Sequence, residues 1–142
     1  MDDELKKDEK LPLVSVCIPA YNHQKYVLES LQSVIVQDYK NIELIIINDG
    51  SKDKTDEVIK SYEQQCRERF VRFEYRNREN RGISTTLNEM VDWSKGKYFT
   101  VIASDDVMLP FKISLLVEEL EMLDANYVVA FGDAIFENDQ SE

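Results

Sequence analysis

The sequence is poor in residues that mark several classes of protein. Its 142 residues include 4 glycines, 2 cysteines and 1 histidine. No apolar run reaches the ~18–20 residues that a membrane-spanning helix needs, and residues 1–10 lack the apolar middle of a signal peptide. We therefore expect no transmembrane segment and a cytoplasmic location. Cys17 and Cys66 fall in a strand pattern and a helix pattern, which favours buried, reduced thiols over a disulfide.

The low glycine content and the net negative charge exclude three further kinds of binding site. A net charge of −11 argues against a nonspecific nucleic-acid binder, which needs a basic surface. The turn after the first predicted strand, residues 19–24, contains no glycine. Dinucleotide-binding turns need G-x-G-x-x-G, and P-loops need G-x-x-x-x-G-K-[ST]. We therefore expect neither loop, and a ligand must be held by other contacts.

The sequence does contain a regular alternation of strand and helix patterns. Apolar residues alternate or run continuously in short segments, and they recur at helical spacing between those segments. Strands are predicted at residues 13–20, 42–47, 70–75, 98–103 and 127–131, with a short one at 134–136. Such alternation predicts an α/β fold with a mostly parallel sheet. Because no internal linker is present, we predict a flexible lead-in over residues 1–10 and one domain over residues 11–142.

Acidic residues follow two of the most apolar predicted strands. Asp105 and Asp106 come after Tyr98–Ala103, which we expect to be a buried strand, and Asp49 comes after Leu44–Ile47. Ligands of parallel α/β sheets bind at the carboxyl ends of the strands, so these carboxylates are expected to meet at one edge. Carboxylates hold Mg²⁺ or Mn²⁺ together with substrate phosphates. The alternatives are a solvated acidic loop at the first site and an Asx turn at the second.

The third predicted helix begins with a segment suited to an anion. Asn80, Arg81 and Gly82 precede its first apolar residue, with Asn80 as the expected N-cap and Gly96 as the expected C-cap. Free N–H groups and the helix dipole favour negative charge at such an end, and Arg81 adds a positive charge. An ordinary helix cap explains the same residues. The second helix is predicted to begin at Asp53 or Thr55.

Residues 19–22 follow the first predicted strand and form either a plain turn or a ligand contact. Tyr21 offers an aromatic face or edge to a base. His23 is the only histidine, and as a lone loop residue it is given no catalytic role.

Four motifs taken together resemble family 2 glycosyltransferases. The four motifs are Val14–Asn22, Glu43–Ser51, Asn80–Gly82 and Ser104–Asp106. They occur in the same order and with the same spacing as in the family. The resemblance implies the GT-A fold, a Rossmann-like three-layer α/β/α sandwich. It also implies an inverting enzyme that transfers a sugar from a nucleotide-diphosphate donor, UDP-linked in many members, to a hydroxyl acceptor. A glycan or lipid-linked acceptor in surface-polysaccharide synthesis, at the inner face of the membrane, is the implied setting.

The resemblance also implies roles for individual residues. The implied nucleotide-binding set comprises Pro19, Ala20, Tyr21, Asp49, Arg81, Gly82 and Asp105. Within this set, Asp49 matches the contact to uracil or the nucleoside, and Asp105 matches the acid that contacts ribose. Asp106 matches the acid that ligates Mn²⁺ or Mg²⁺.

The chain departs from the family pattern in three respects. Leu87 stands where the family often has an arginine, and Ala103 stands at the first position of its D-x-D-D signature. The family's general base is an acid well after the metal motif, in a region that this chain barely enters. We therefore expect the general base outside the chain, a domain truncated at its C-terminus, and an isolated fragment that lacks activity.

Two other functions compete with this interpretation. A nucleotidyltransferase shares the sheet and a metal-binding acid, but it normally carries a glycine-rich basic segment after its first strand. A nucleotide-binding module without turnover would share every one of these features except the catalytic general base. A phospho-receiver domain is disfavoured, because its acidic pair should follow the first strand and the pair here follows the fourth.

Overall fold

The computed structural model describes residues 11–136, and within them the chain forms a four-stranded parallel sheet. The strands are β1 (Val14–Ala20), β2 (Ile42–Asp49), β3 (Arg72–Arg78) and β4 (Tyr98–Val101). Their order across the sheet is β3-β2-β1-β4, so the first strand lies between the second and the fourth. β1 pairs with β2 from Val14 opposite Ile42 to Ala20 opposite Asn48. The predicted α/β fold with a parallel sheet is confirmed.

Five helices are seen in the described part of the chain. They are α1 (Val27–Ile35), α2 (Thr55–Ser61), α3 (Glu63–Arg69), α4 (Ile83–Trp93) and α5 (Lys112–Met122). A helix both long enough and apolar enough to span a bilayer does not occur among residues 11–136.

The helices cover both faces of the sheet, which gives the fold three layers. Successive strand residues point to opposite faces, so neighbours in β2 enter different cores. Leu44 joins a large cluster that includes Leu31 of α1 and Val117 of α5. Ile45 joins a smaller cluster with Met90 of α4. The near-continuous apolar run of β2 follows from this burial on two sides.

A fully buried carboxylate connects the amino ends of three strands. Glu43 is 0% exposed and accepts hydrogen bonds from Ser15 Oγ at 2.5 Å, Arg72 Nη1 at 2.9 Å and the backbone N–H of Lys95 at 2.6 Å. Burial by itself would raise the pKa of Glu43, but these donors outweigh it and lower the pKa. The network satisfies a charge that would otherwise destabilise the core.

Gly96 does not act as the predicted helix C-cap. Helix α4 ends earlier, with Ser94 at the C-cap position. Gly96 instead donates its N–H to Ser15 Oγ at 2.8 Å. A Cβ at Gly96 would lie 2.5 Å from that same oxygen, so the glycine is needed for this close approach.

Two predictions about the later strands are wrong. The segment expected to be a buried strand over residues 98–103 is a shorter strand at the sheet edge, and Phe99 and Val101 are 40% and 39% exposed. Residues 127–131 and 134–136 form no strand in the described chain, and Val128 and Phe131 are 83% and 86% exposed. Alternating apolar residues favour a strand, but a strand also needs a backbone partner to satisfy its polar groups.

Several boundaries also differ from prediction. β3 covers Arg72–Arg78 instead of residues 70–75, and β2 continues to Asp49. The predicted second helix is two short helices that meet at Tyr62. Its N-cap position is Lys54, although the backbone N–H of Thr55 donates to Asp53 Oδ1 at 3.0 Å. The predicted lead-in over residues 1–10, and residues 137–142, lie outside the described part.

The expectation for the cysteines is confirmed. Cys17 in β1 and Cys66 in α3 are both free and buried. Burial raises the pKa of Cys17 to about 11 and that of Cys66 to about 12.

Candidate functional site

The candidate site lies at the carboxyl edge of the sheet. Because β1, β2 and β4 are parallel, the residues that follow them emerge at the same edge. These are Tyr21 after β1, Asp49 at the last position of β2, and Asp105 and Asp106 after β4. The predicted convergence of the strand ends is therefore present, with β1 between the two acidic positions.

A cleft of about 240 Å³ opens at this edge beside β1 and β2. It is lined by Pro19, Ala20, Tyr21, Asp49, Asn80, Gly82, Ile83 and Thr86. Tyr21 is 47% exposed, so its ring is available to a ligand. Five residues of the predicted nucleotide-binding set thus line one cleft. Its volume is smaller than that of a typical pocket for a whole drug-sized molecule, and suits one part of a larger ligand.

Asp49 is buried and holds the segment before α4 in place. Its Oδ1 accepts hydrogen bonds from Arg78 Nη1 at 2.5 Å and from the backbone N–H of Arg81 at 2.8 Å. Its Oδ2 accepts one from the backbone N–H of Gly82 at 3.1 Å. Burial by itself would raise the pKa of Asp49, but these hydrogen bonds and the Arg78 charge outweigh it and lower the pKa.

Arg78 is a central residue of the site that the sequence argument missed. Its guanidinium also donates to Thr86 Oγ1 at 3.0 Å and to Glu89 Oε2 at 2.7 Å. The side chains of Arg78 and Asp49 are 9% and 8% exposed, so this ion pair is largely shielded from water. The sequence pattern offered no signal for it, because the ion pair depends on the strand register that places Arg78, at the end of β3, directly opposite Asp49.

The segment Asn80–Gly82 adopts a different arrangement from the predicted cap. The N-cap position of α4 is Gly82, with φ of 84°, and the Asn80 side chain donates to the backbone carbonyl of Asp49 at 2.9 Å. The Arg81 side chain is 51% exposed, and its nearest ionic partner is Glu79 at 3.7 Å. The positive charge of the Arg81 guanidinium is therefore only loosely paired.

Asp105 and Asp106 follow the edge strand in an exposed turn. The backbone N–H of Asp106 donates to the carbonyl of Ala103 at 3.1 Å. Among residues 11–136, no three His, Cys, Asp or Glu side chains are grouped so that they could hold a metal by themselves. This donor set fits a hard cation bound by one or two carboxylates and completed by ligand oxygens, which is common for Mg²⁺.

The chain is similar to known glycosyltransferases over most of its length. The family model described as glycosyl transferase family 2 matches residues 15–142. An uncharacterized glycosyltransferase of Rickettsia typhi is 38% identical over 128 residues, which cover 89% of this chain and 38% of that protein. Glycosyltransferase GlyG of Streptococcus pneumoniae is 32% identical over 118 residues, covering 82% of this chain and 38% of GlyG. The chain thus spans less than half the length of these curated relatives.

Solved structures share the fold. Mannosyltransferase PcManGT from Pyrobaculum calidifontis, in complex with GDP-Man and Mn²⁺, matches with a TM-score of 0.71 at 20% identity, over 80% of this chain and 33% of that one. S. aureus TarS 1–349 in complex with UDP-GlcNAc matches with a TM-score of 0.65 at 23% identity, over 75% and 31%. The sheet order, the strand-end site and the family match lead to one conclusion: the chain belongs to glycosyl transferase family 2 and has the GT-A fold.

Proposed function

We propose that this chain forms the nucleotide-sugar-binding part of an inverting, metal-dependent glycosyltransferase with a UDP-linked donor and a hydroxyl acceptor. The observation that carries the proposal is the cleft at the carboxyl edge, which Tyr21, Asp49 and Gly82 line together. Two structural relatives, one in complex with UDP-GlcNAc and one with GDP-Man and Mn²⁺, add support. A glycan or lipid-linked acceptor, surface-polysaccharide synthesis and a site at the inner face of the membrane are proposed on the family resemblance alone.

The cleft is proposed to receive the base and ribose. Pro19 and Ala20 form its wall, and the half-exposed ring of Tyr21 packs against the base. Each carboxylate oxygen has about two acceptor positions. Oδ2 of Asp49 uses one of them for the N–H of Gly82, so the other is left for the N–H of a uracil ring.

The diphosphate is proposed to lie between the start of α4 and the acidic turn after β4. Arg81 contributes an exposed positive charge, and Asp105 contributes an acceptor for ribose hydroxyls. Asp106 would hold Mn²⁺ or Mg²⁺ together with diphosphate oxygens. When bound, the cation supplies positive charge that neutralises the departing nucleoside diphosphate. No residue of the described part is assigned as general base for the acceptor hydroxyl.

Nucleotide selectivity provides the first test. We would measure thermal shifts with UDP, GDP, CDP and dTDP, each with and without Mn²⁺. A ligand present at 100 times its Kd should stabilise the fold by roughly 2.7 kcal/mol. UDP with Mn²⁺ should give the largest shift. Failure of all four nucleotides to shift the transition with Mn²⁺ would contradict the proposal.

The metal ligand provides the second test. Asp106→Asn should abolish metal-dependent UDP binding in calorimetry and leave the fold intact, because the exposed Asp106 side chain supports no packing. The matched control is Asp92→Asn. It changes an exposed acid near the C-terminal end of α4, whereas the cleft lies at the N-terminal end, so this variant should bind Mn²⁺–UDP as the parent does. If Asp106→Asn binds Mn²⁺–UDP as tightly as the control, the assignment is wrong.

A further inference from the structure

His23 connects the loop after β1 with the acidic turn after β4. Its Nδ1 lies 2.7 Å from Oγ of the buried Ser104, and its Nε2 lies 3.8 Å from Oδ2 of Asp105. The ring also packs edge-on against Tyr26, with the centroids 6.1 Å apart. The imidazole is therefore in contact with the turn that carries both candidate ligand-binding acids.

The loop that presents His23 is itself tightly held. Asn22, His23 and Gln24 each donate a backbone N–H to a side-chain oxygen within residues 51–55, at 2.9 to 3.1 Å. Asn22 adopts φ of 50°, and its side chain accepts a hydrogen bond from the N–H of Lys52 at 2.8 Å. The backbone at His23 is thus anchored to the loop after β2 by hydrogen bonds that do not involve the acidic turn.

The two contacts favour one tautomer of the imidazole. If Nε2 carries the proton that faces the Asp105 carboxylate, Nδ1 is an acceptor and the Ser104 hydroxyl donates to it. This arrangement uses both ring nitrogens. The 3.8 Å separation exceeds a direct hydrogen bond, so the Asp105 contact is electrostatic or bridged by one water.

We propose that His23 is a positioning residue for Asp105, which it holds in the orientation that meets the ribose of the nucleotide. The inference rests on the proposed function of the cleft. The Asp105 side chain is 47% exposed, and among residues 11–136 it has no other hydrogen bond or ion pair that would restrain it. Ordering such a side chain costs binding affinity, and a carboxylate already oriented by a fixed imidazole avoids part of that cost. Loss of the contact should therefore weaken nucleotide binding about three- to tenfold.

A pair of near-isosteric variants separates the two ring contacts. His23→Asn retains a polar atom at the Nδ1 position for Ser104 but is too short to reach Asp105. His23→Gln places an amide N–H at the Nε2 position. In calorimetry with Mn²⁺–UDP, the Asn variant should bind about three- to tenfold more weakly than the parent, and the Gln variant within about twofold of it. Parent-like binding by the Asn variant, or equal losses in both variants, would overturn the proposal.

A double-mutant cycle tests whether His23 acts through Asp105. In an Asp105→Asn background, His23→Asn should cause no further loss of UDP affinity. A merely structural role would lower the thermal midpoint and give the same loss in both backgrounds. A full additive loss would therefore refute the positioning role.

A nucleotide-free measurement separates this inference from the proposed function. His23 is the only histidine, so ¹⁵N spectra of the imidazole come from one residue. In mildly alkaline buffer the parent should show the Nε2–H tautomer. The Asp105→Asn variant should shift the ¹⁵N signal of Nε2, and the Ser104→Ala variant should shift that of Nδ1. Rapid averaging of both tautomers, with no response to Asp105→Asn, would reject the contact. If the parent binds no nucleotide while these shifts appear, the proposed function fails and the His23–Asp105 contact stands.

Discussion

Gly50 lies against the backbone of Asn80 at a distance that leaves no room for a side chain. A Cβ on Gly50 would be 2.5 Å from the amide nitrogen of Asn80, and the φ of Gly50 is +74°. This approach brings the segment before α4 next to the end of β2, where Asp49 accepts the N–H groups of Arg81 and Gly82. The wall of the cleft thus depends on the absence of one side chain.

Gly50→Ala should therefore destabilise the fold and open the cleft. The collision with Asn80 and the left-handed backbone together should lower the free energy of unfolding by about 2–4 kcal/mol. Urea denaturation measures this change. Gly132→Ala is the matched control, since a Cβ there meets nothing within 4 Å, and it should change stability by less than about 0.5 kcal/mol. Equal stabilities of the two variants would contradict the steric argument.

Asp49→Asn should remove part of the acid sensitivity of the fold. The pKa of Asp49 is lowered in the folded state, so its contribution to stability is present above the unfolded pKa of about 3.9 and is lost as the pH falls through the folded value. At neutral pH the variant should lose about 2–4 kcal/mol of stability, because the nearly buried charge of Arg78 keeps only Glu89 as a carboxylate partner and the N–H groups of Arg81 and Gly82 lose a charged acceptor. Urea denaturation at neutral pH and below about pH 4 measures the difference between parent and variant. A constant difference across that range would count against the ion pair.

Arg78 and Arg81 should respond differently to removal. Arg78→Ala leaves Asp49 without its cation and should cost about 3–5 kcal/mol of stability. Arg81→Ala removes an exposed, loosely paired side chain and should change stability by less than about 0.5 kcal/mol. It should weaken UDP binding by up to about fivefold, with a larger effect at low salt. A salt-independent loss of affinity in Arg81→Ala would argue against a role for its charge.

Cys17 and Cys66 should be unreactive in the folded protein. Burial raises their pKa values to about 11 and about 12, so the reactive thiolate is scarce at neutral pH. Ellman's reagent should label neither thiol under native conditions and both of them in concentrated urea. Rapid labelling of the native protein at either position would show that the thiol is accessible.

The fold class follows from local patterns in the sequence. The alternating residues of β1 and the continuous apolar run of β2 are visible along the chain, and connections between parallel strands need intervening helices. The placement of Asp49 and the Asp105–Asp106 pair at one edge follows from the same rule, since parallel strands end together. These inferences need only neighbours along the chain and the general geometry of parallel sheets.

The tertiary structure decided which predicted strands pair in the sheet and which charged side chains form ion pairs. Residues 127–131 have a strand pattern but no partner in the described chain, and β4 lies at an edge that leaves Phe99 partly exposed. The pairing of Arg78 with Asp49 depends on the register between β3 and β2, which the sequence pattern does not specify.

The sequence by itself thus determined the α/β architecture and the acids that reach the site. Only the folded chain decided that Asp49 binds the segment before α4, that Gly50 must lack a side chain and that His23 meets Asp105. The physical reason is that apolar periodicity acts between near neighbours, whereas hydrogen bonds between loops depend on how separate strands are aligned in the sheet.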